Sequence, residues 1–116
     1  MWLDARIPVH LVAPEALAAA RAAQPDAALL VEAGIAAPAG AVLETFSAPP
    51  HPAGCGCCVA RSAAAAAFDR LFLARVKGEV PFFASVLAAA ATEAGRAEIG
   101  RALAADPVVP MRYRPA

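Results

Sequence analysis

Lysine is almost missing from this chain: Lys77 stands alone among ten basic residues, and the other nine are arginine. Ten acidic residues balance them, so the formal net charge is zero, and neither sign clusters. A nucleic-acid footprint needs a basic patch or stripe, so that class of partner is excluded. Arginine bias beside so much alanine and proline matches genomic G+C pressure rather than a functional demand. Aromatic residues make up only 6% of the chain, and about half of its 60% apolar content is alanine. The core is therefore expected to be thin and helix-rich, with small side chains between its elements. Apolar runs are short as well. Met1-Trp2-Leu3 meets Asp4 and Arg6 at once, which leaves no secretory h-region. The longest alanine tract, Ala63 to Ala67, lies between Arg61 and Asp69, so no 20-residue membrane span is expected. Without an export signal the expected setting is the bacterial cytoplasm, where thiols stay reduced.

Cysteine is equally scarce, and all of it stands in one place. Gly54-Cys55-Gly56-Cys57-Cys58 holds the three thiols of the chain, with His51 just upstream. Three thiols at C-x-C-C spacing are a poor disulfide framework and a compact set of soft metal ligands. Thiolates and imidazole bind Zn²⁺, usually as four tetrahedral protein ligands. Cys55, Cys57 and Cys58 supply three, and His51 is a candidate fourth, the alternative being water, a small ligand or a partner's side chain. Gly54 and Gly56 permit the tight turn that aims the sulfurs at one point. Cys58 is placed at the start of an expected helix over Val59 to Ala67, where the dipole favours thiolate. Two other readings of the same residues stay open: reduced thiols without metal, and a thiol-redox pair of Cys55 with Cys57 or Cys58.

At 116 residues the chain fits one domain with one core, and no linker or internal repeat divides it. Ile7 to Val12 reads as a strand, Pro14 opens a helix through Ala23, and Ala27 to Val31 is a continuous apolar run expected of a strand buried on both faces. Strand, helix, strand begins a right-handed parallel unit. A short third strand is expected around Val42 to Glu44, and the proline-rich stretch Ala48 to Gly54 excludes regular structure. After the helix following the cysteines, Arg70 to Ala74 reads as a strand. Pro81 is placed at the start of a helix through Phe82, Phe83, Val86 and Leu87. Glu93 to Ala104 reads as helix, and Asp106 to Tyr113 as a final edge strand carrying two prolines. The expected fold is α/β, a small three-layer sandwich with a mostly parallel sheet of about four or five strands flanked by helices.

The stretch Gly54 to Cys58, followed by Val59-Ala60-Arg61, resembles the G-C-x-C-C motif and helix of the CobW-like P-loop GTPases, a group of metal chaperones. Arg6 to Val12 looks like that family's opening strand. Leu30-Val31-Glu32-Ala33-Gly34 sits where the family carries an Asn-Glu-Phe-Gly-like segment, so Glu32 corresponds to a family glutamate. Phe68-Asp69, Gly78 and Pro81 are similar to the region of its second nucleotide motif. The departures are as informative. A P-loop needs G-x-x-x-x-G-K-[ST] after the first strand, and here stands Ala13-Pro14-Glu15-Ala16-Leu17, with no glycine, lysine or hydroxyl. The Glu-Thr-x-Gly region falls on Ala74 to Gly78 without the acid, and no Asn-Lys-x-Asp motif follows. Lys77 cannot replace the P-loop lysine by position.

The resemblance implies a shortened, nucleotide-free relative that kept its cysteine loop. Its cargo would be zinc, with cobalt or another soft transition metal as the alternative. It would work in metal trafficking, sensing or regulation. Its partners would be the ion and a second copy or a full-length CobW-like protein, with no nucleotide, nucleic acid or membrane. The alternative function is a homodimeric scaffold domain with incidental cysteines. Other residues carry less chemistry. His10 reads as a core or surface histidine, Glu32 and Glu44 as solvated acids at strand ends, Trp2 and Tyr113 as packing or edge residues, and Phe82-Phe83 as core. Ser47, Ser62 and Ser85 lack a nucleophile elbow, so no catalytic constellation is assigned.

Overall fold

The computed structural model describes residues 4–48 and 62–116. The chain forms β1 (Ile7–Leu11), a 3-10 turn (Pro14–Ala16), α1 (Leu17–Ala23), β2 (Ala28–Glu32), β3 (Leu43–Phe46), α2 (Ala63–Lys77), β4 (Val86–Ala89), α3 (Glu93–Ala105), the single turn α4 (Val109–Arg112) and β5 (Tyr113–Pro115). The five strands make one sheet in the order β3-β2-β4-β1-β5, and every pairing is parallel. The expected α/β sandwich is therefore present, with a sheet that is wholly parallel.

The two inner strands explain the layers. All five residues of β2 and all four of β4 are buried, as parallel strands covered on both faces must be. Side chains alternate across the pleat. Ala28, Leu30, Val86 and Ala88 join the larger core under α2 and α3, while Leu29, Val31, Leu87 and Ala89 meet Leu17 of α1 on the other face. The chain steps from β1 to β2 to β3 towards one edge, then returns through β4 to β5. With one crossover hand, that reversal places α1 opposite α2 and α3. Alanine matters here: Ala64, Ala65 and Ala67 are fully buried and let α2 approach the sheet closely, with Phe68 and Leu71 filling the remaining space.

Three expectations change. The segment Arg70 to Ala74 is helix, because Ala64, Phe68 and Leu71 share one buried face at helical spacing and α2 runs on to Lys77. Gly78, at φ 71°, then ends it in a left-handed cap whose N–H donates to the Ala74 and Arg75 carbonyls. Pro81 opens no helix: Val86 to Ala89 is a central strand, whose alanines are tolerated because helices close on both faces. The last strand shortens to three residues. Asp106 accepts from the amides of Val108 and Val109 at 2.9 and 3.0 Å, and the residues after it wind into α4 before β5 begins at Tyr113. Tyr113 is buried at the start of β5, donating its hydroxyl to the Phe68 carbonyl at 2.8 Å. Among the described residues no helix is long and apolar enough to cross a membrane.

Candidate functional site

Open parallel sheets hold ligands beyond the carboxyl ends of their strands, where neighbouring strands send the chain to opposite faces. β1 and β4 are such neighbours. Between the loop after β1 and the loop after β4 lies an open cleft of ≈ 620 Å³, lined by Leu11 to Glu15, Ala90, Ala91 and Arg96. Its first wall is built of internal hydrogen bonds. The Val12 amide donates to the Ala88 carbonyl at 2.9 Å, the Ala16 amide to Ala13 at 2.9 Å, and Leu17 to Pro14. Pro14 has no N–H to give. A phosphate cradle needs several such amides turned outward, so this loop closes on itself where a P-loop would open.

The next crevice, between β2 and β4, is filled by the protein's own carboxylate. Glu32 ends β2, and its Oε1 accepts from the amides of Ala91 and Thr92, both at 2.9 Å. The Thr92 hydroxyl donates to Oε2 at 2.6 Å while accepting from the Gly95 amide at 2.9 Å. Glu32 thus occupies the anion position at the N-terminus of α3, where the helix dipole favours negative charge. Burial by itself raises its pKa, but the Thr92 hydroxyl, the Thr92 and Ala91 amides and the Arg96 charge outweigh that effect. The net displacement is below the ordinary glutamate value. Glu32 is 7% exposed, a buried structural acid rather than the solvated one expected. Gly95 completes the arrangement: a Cβ there would lie 2.5 Å from Glu32 Oε1.

A second carboxylate plays the same part at α2. Glu98, only 1% exposed, accepts from the Ala63 amide at 3.0 Å through Oε1 and is ion-paired through Oε2 with Arg101. Ser62 has extended backbone and accepts from the Ala65 amide at 3.1 Å, so α2 begins at Ala63, while Val59 to Arg61 lie outside the described residues. Two first-turn amides of α2, those of Ala65 and Ala63, are thereby engaged by Ser62 and Glu98. Sequence reasoning missed Glu98. Its signal was position: it falls in the buried stripe Gly95, Glu98, Ile99 and Ala102 of α3.

Cys55, Cys57, Cys58 and His51 all lie outside the described residues. In the chain they fall between Ala48, two residues after β3, and Ser62, the N-cap of α2. Among the described residues no three His, Cys, Asp or Glu side chains are grouped to hold a metal ion. Glu44 is paired with Arg70 at the edge of the sheet, and Arg70 also donates to the Thr45 carbonyl at 3.1 Å. His10 is half-buried in β1, and Ser85 donates to Gln24 at 2.9 Å. Phe83 is core as expected, whereas Phe82 is exposed and carries the Arg75 guanidinium 4.2 Å above its ring. Trp2 also lies outside the described residues. No protein-family model, no curated protein and no solved structure matches this chain.

Proposed function

We propose that this chain is a CobW-like metal-binding protein without GTPase activity, holding a zinc ion through Cys55, Cys57 and Cys58 with His51 as fourth ligand. The chemistry of the donor set fits the group: three thiolates and an imidazole suit a tetrahedral, borderline-soft d¹⁰ ion. The observation that carries the reading is the contrast between two loops of one parallel sheet. The loop after β1 is closed by its own hydrogen bonds and lacks glycine, lysine and hydroxyl, while the connection from β3 to α2 holds every cysteine of the chain. That pairing supports metal chemistry without phosphate chemistry. The role is trafficking, sensing or regulation in the cytoplasm, where reducing conditions keep the thiols available. Cobalt is the alternative cargo, and a full-length CobW-like protein or a second copy is the partner.

Metal analysis of protein purified without added zinc tests the proposal. One zinc per chain is expected in the wild type and none in the variant with Cys55, Cys57 and Cys58 all changed to Ser. Sub-stoichiometric metal in both would sink the reading. GTP binding is expected to be absent, and micromolar affinity for it would overturn the argument from the loop after β1.

A further inference from the structure

The sheet has two outer strands, β3 and β5, and the chain closes them differently. At β5 the Ala116 amide donates to the Val9 carbonyl at 3.0 Å, so by alternation the backbone groups of Tyr113 and Pro115 face outward. That strand is three residues long, and Pro115 has no N–H to offer a further strand. β3 is four residues long and holds no proline. The carbonyls of Val42 and Phe46 accept from Leu29 and Ala33 at 2.8 and 2.7 Å, which turns them towards β2. The N–H and C=O groups of Leu43 and Thr45 therefore face outward, and among the described residues no strand pairs with them. Such an edge is a template for another strand. Arg70 reaches it from α2. Its Nη2 donates to the outward Thr45 carbonyl at 3.1 Å, and its Nε is paired with the Glu44 carboxylate. Glu44 alternates with Val42 and Phe46, which pack in the core under α2, so it stands on the same face as Arg70.

We infer that Arg70 guards the β3 edge against a second copy of this chain. The two-fold register that uses the outward groups of both residues is centred on Glu44: Leu43 of each copy exchanges hydrogen bonds with Thr45 of the other. The Thr45 carbonyl must then accept from an incoming Leu43 amide, at the position that Arg70 holds. Withdrawing Arg70 also takes the counter-charge from Glu44, and the same register sets the two Glu44 carboxylates directly opposite one another. Like charges so placed are destabilising in a strand pair. One side chain thus blocks the acceptor and is tied to the charge that opposes its displacement. The register is self-complementary and consumes both β3 edges, so the Pro115 edges are left outermost and association stops at a dimer. The inference stands apart from the metal reading.

Removing both parts of the guard should open the edge. Arg70→Met keeps the length of the side chain without its donors, and Glu44→Thr places a neutral β-branched residue on the axis. Mass is measured by size-exclusion with light scattering over a concentration series, with thermal melts in parallel. Chelator and reductant are present, to remove metal- and thiol-bridged association. Wild type and Glu44→Thr are expected to stay monomeric, because Arg70 still holds the Thr45 carbonyl. The double variant should show about a twofold rise in mass with concentration. Adding Thr45→Pro, which removes an outward N–H and no bond to β2, should return it to the monomer. A folded double variant that is monomeric at every concentration overturns the inference. So does a dimeric wild type, a Glu44→Thr protein as dimeric as the double variant, or association that survives Thr45→Pro. If the double variant fails to fold, Arg70→Met alone decides at high salt, where repulsion between the Glu44 carboxylates is screened. A monomer there has the same meaning.

Discussion

Alanine at two glycines of the same helix should change stability in opposite directions. Gly95 and Gly100 both lie in α3, and exchanging glycine for alanine in a helix interior gains ~1 kcal/mol from propensity alone. At Gly100 an added Cβ meets nothing within 4 Å, so Gly100→Ala should stabilise by about 0.5–1 kcal/mol. At Gly95 the Cβ would lie 2.5, 2.6 and 2.8 Å from Oε1, Cδ and Oε2 of Glu32. Contact at ordinary distance requires the carboxylate to retreat by roughly 1 Å. It is held by two amides and a hydroxyl, so the movement breaks or stretches charge-assisted bonds that contribute ~1.5–3 kcal/mol each. Rehydration of the displaced carboxylate and the propensity gain offset part of that loss. Gly95→Ala should therefore destabilise by roughly 1–3 kcal/mol. Urea unfolding of both variants and the wild type, compared at constant m-value, measures the difference. In a Glu32→Ala background the obstacle is gone, and Gly95→Ala should regain its helix preference. If Gly95→Ala stabilises the native background as Gly100→Ala does, the argument that Glu32 is pinned at the start of α3 is wrong.

Acid should weaken the same contact. The Glu32 carboxyl is held below its ordinary value of 4.5, so its contribution is fully present above that pH and is lost as pH falls through the lower, folded-state value. Asp4, drawn down to about 2 by its hydrogen bonds with Arg6, titrates nearby, so the difference between wild type and Glu32→Gln isolates Glu32. Unfolding free energies of these two proteins should draw together as pH falls below 4.5; a difference that stays constant would refute the assignment. Tyr113→Phe keeps the ring contact with Phe68, centroids 4.7 Å apart, and deletes only the hydroxyl bond to the Phe68 carbonyl. A loss of about 1 kcal/mol in urea unfolding is expected, and an unchanged midpoint would show that the bond adds nothing.

Periodicity and continuous apolar runs made β1, β2, α1 and α3 legible, because each of these signals is local. Ile7-Pro8-Val9 alternates, Leu29-Leu30-Val31 is apolar throughout, Pro14 marks a helix start, and Glu93 to Ala104 reads as helix. Alanine blurred the remainder. Alanine is the best helix former and is depleted in strands, so Ala63 to Ala67 read as helix, while Ala88 to Ala90 give no sign of an inner strand. Neighbours complete the assignment. Leu29 and Val31 draw Leu87 and Ala89 into the sheet beneath α1, while Phe68 and Leu71 commit α2 to a helical face.

The candidate site divides along the same line. Sequence alone supplied the proposed donor set, three thiols and a histidine within eight residues, and the lack of a phosphate-loop motif, because both depend on residue type and spacing. Only the tertiary structure decided what Glu32 and Glu98 do. Each meets its amide partner across a distance in sequence, 59 and 60 residues for Glu32 and 35 for Glu98, and each is held by donors from another element. A carboxylate's partner cannot be read locally when folding brings it from elsewhere, and both acids look solvated until the sheet and helices close around them.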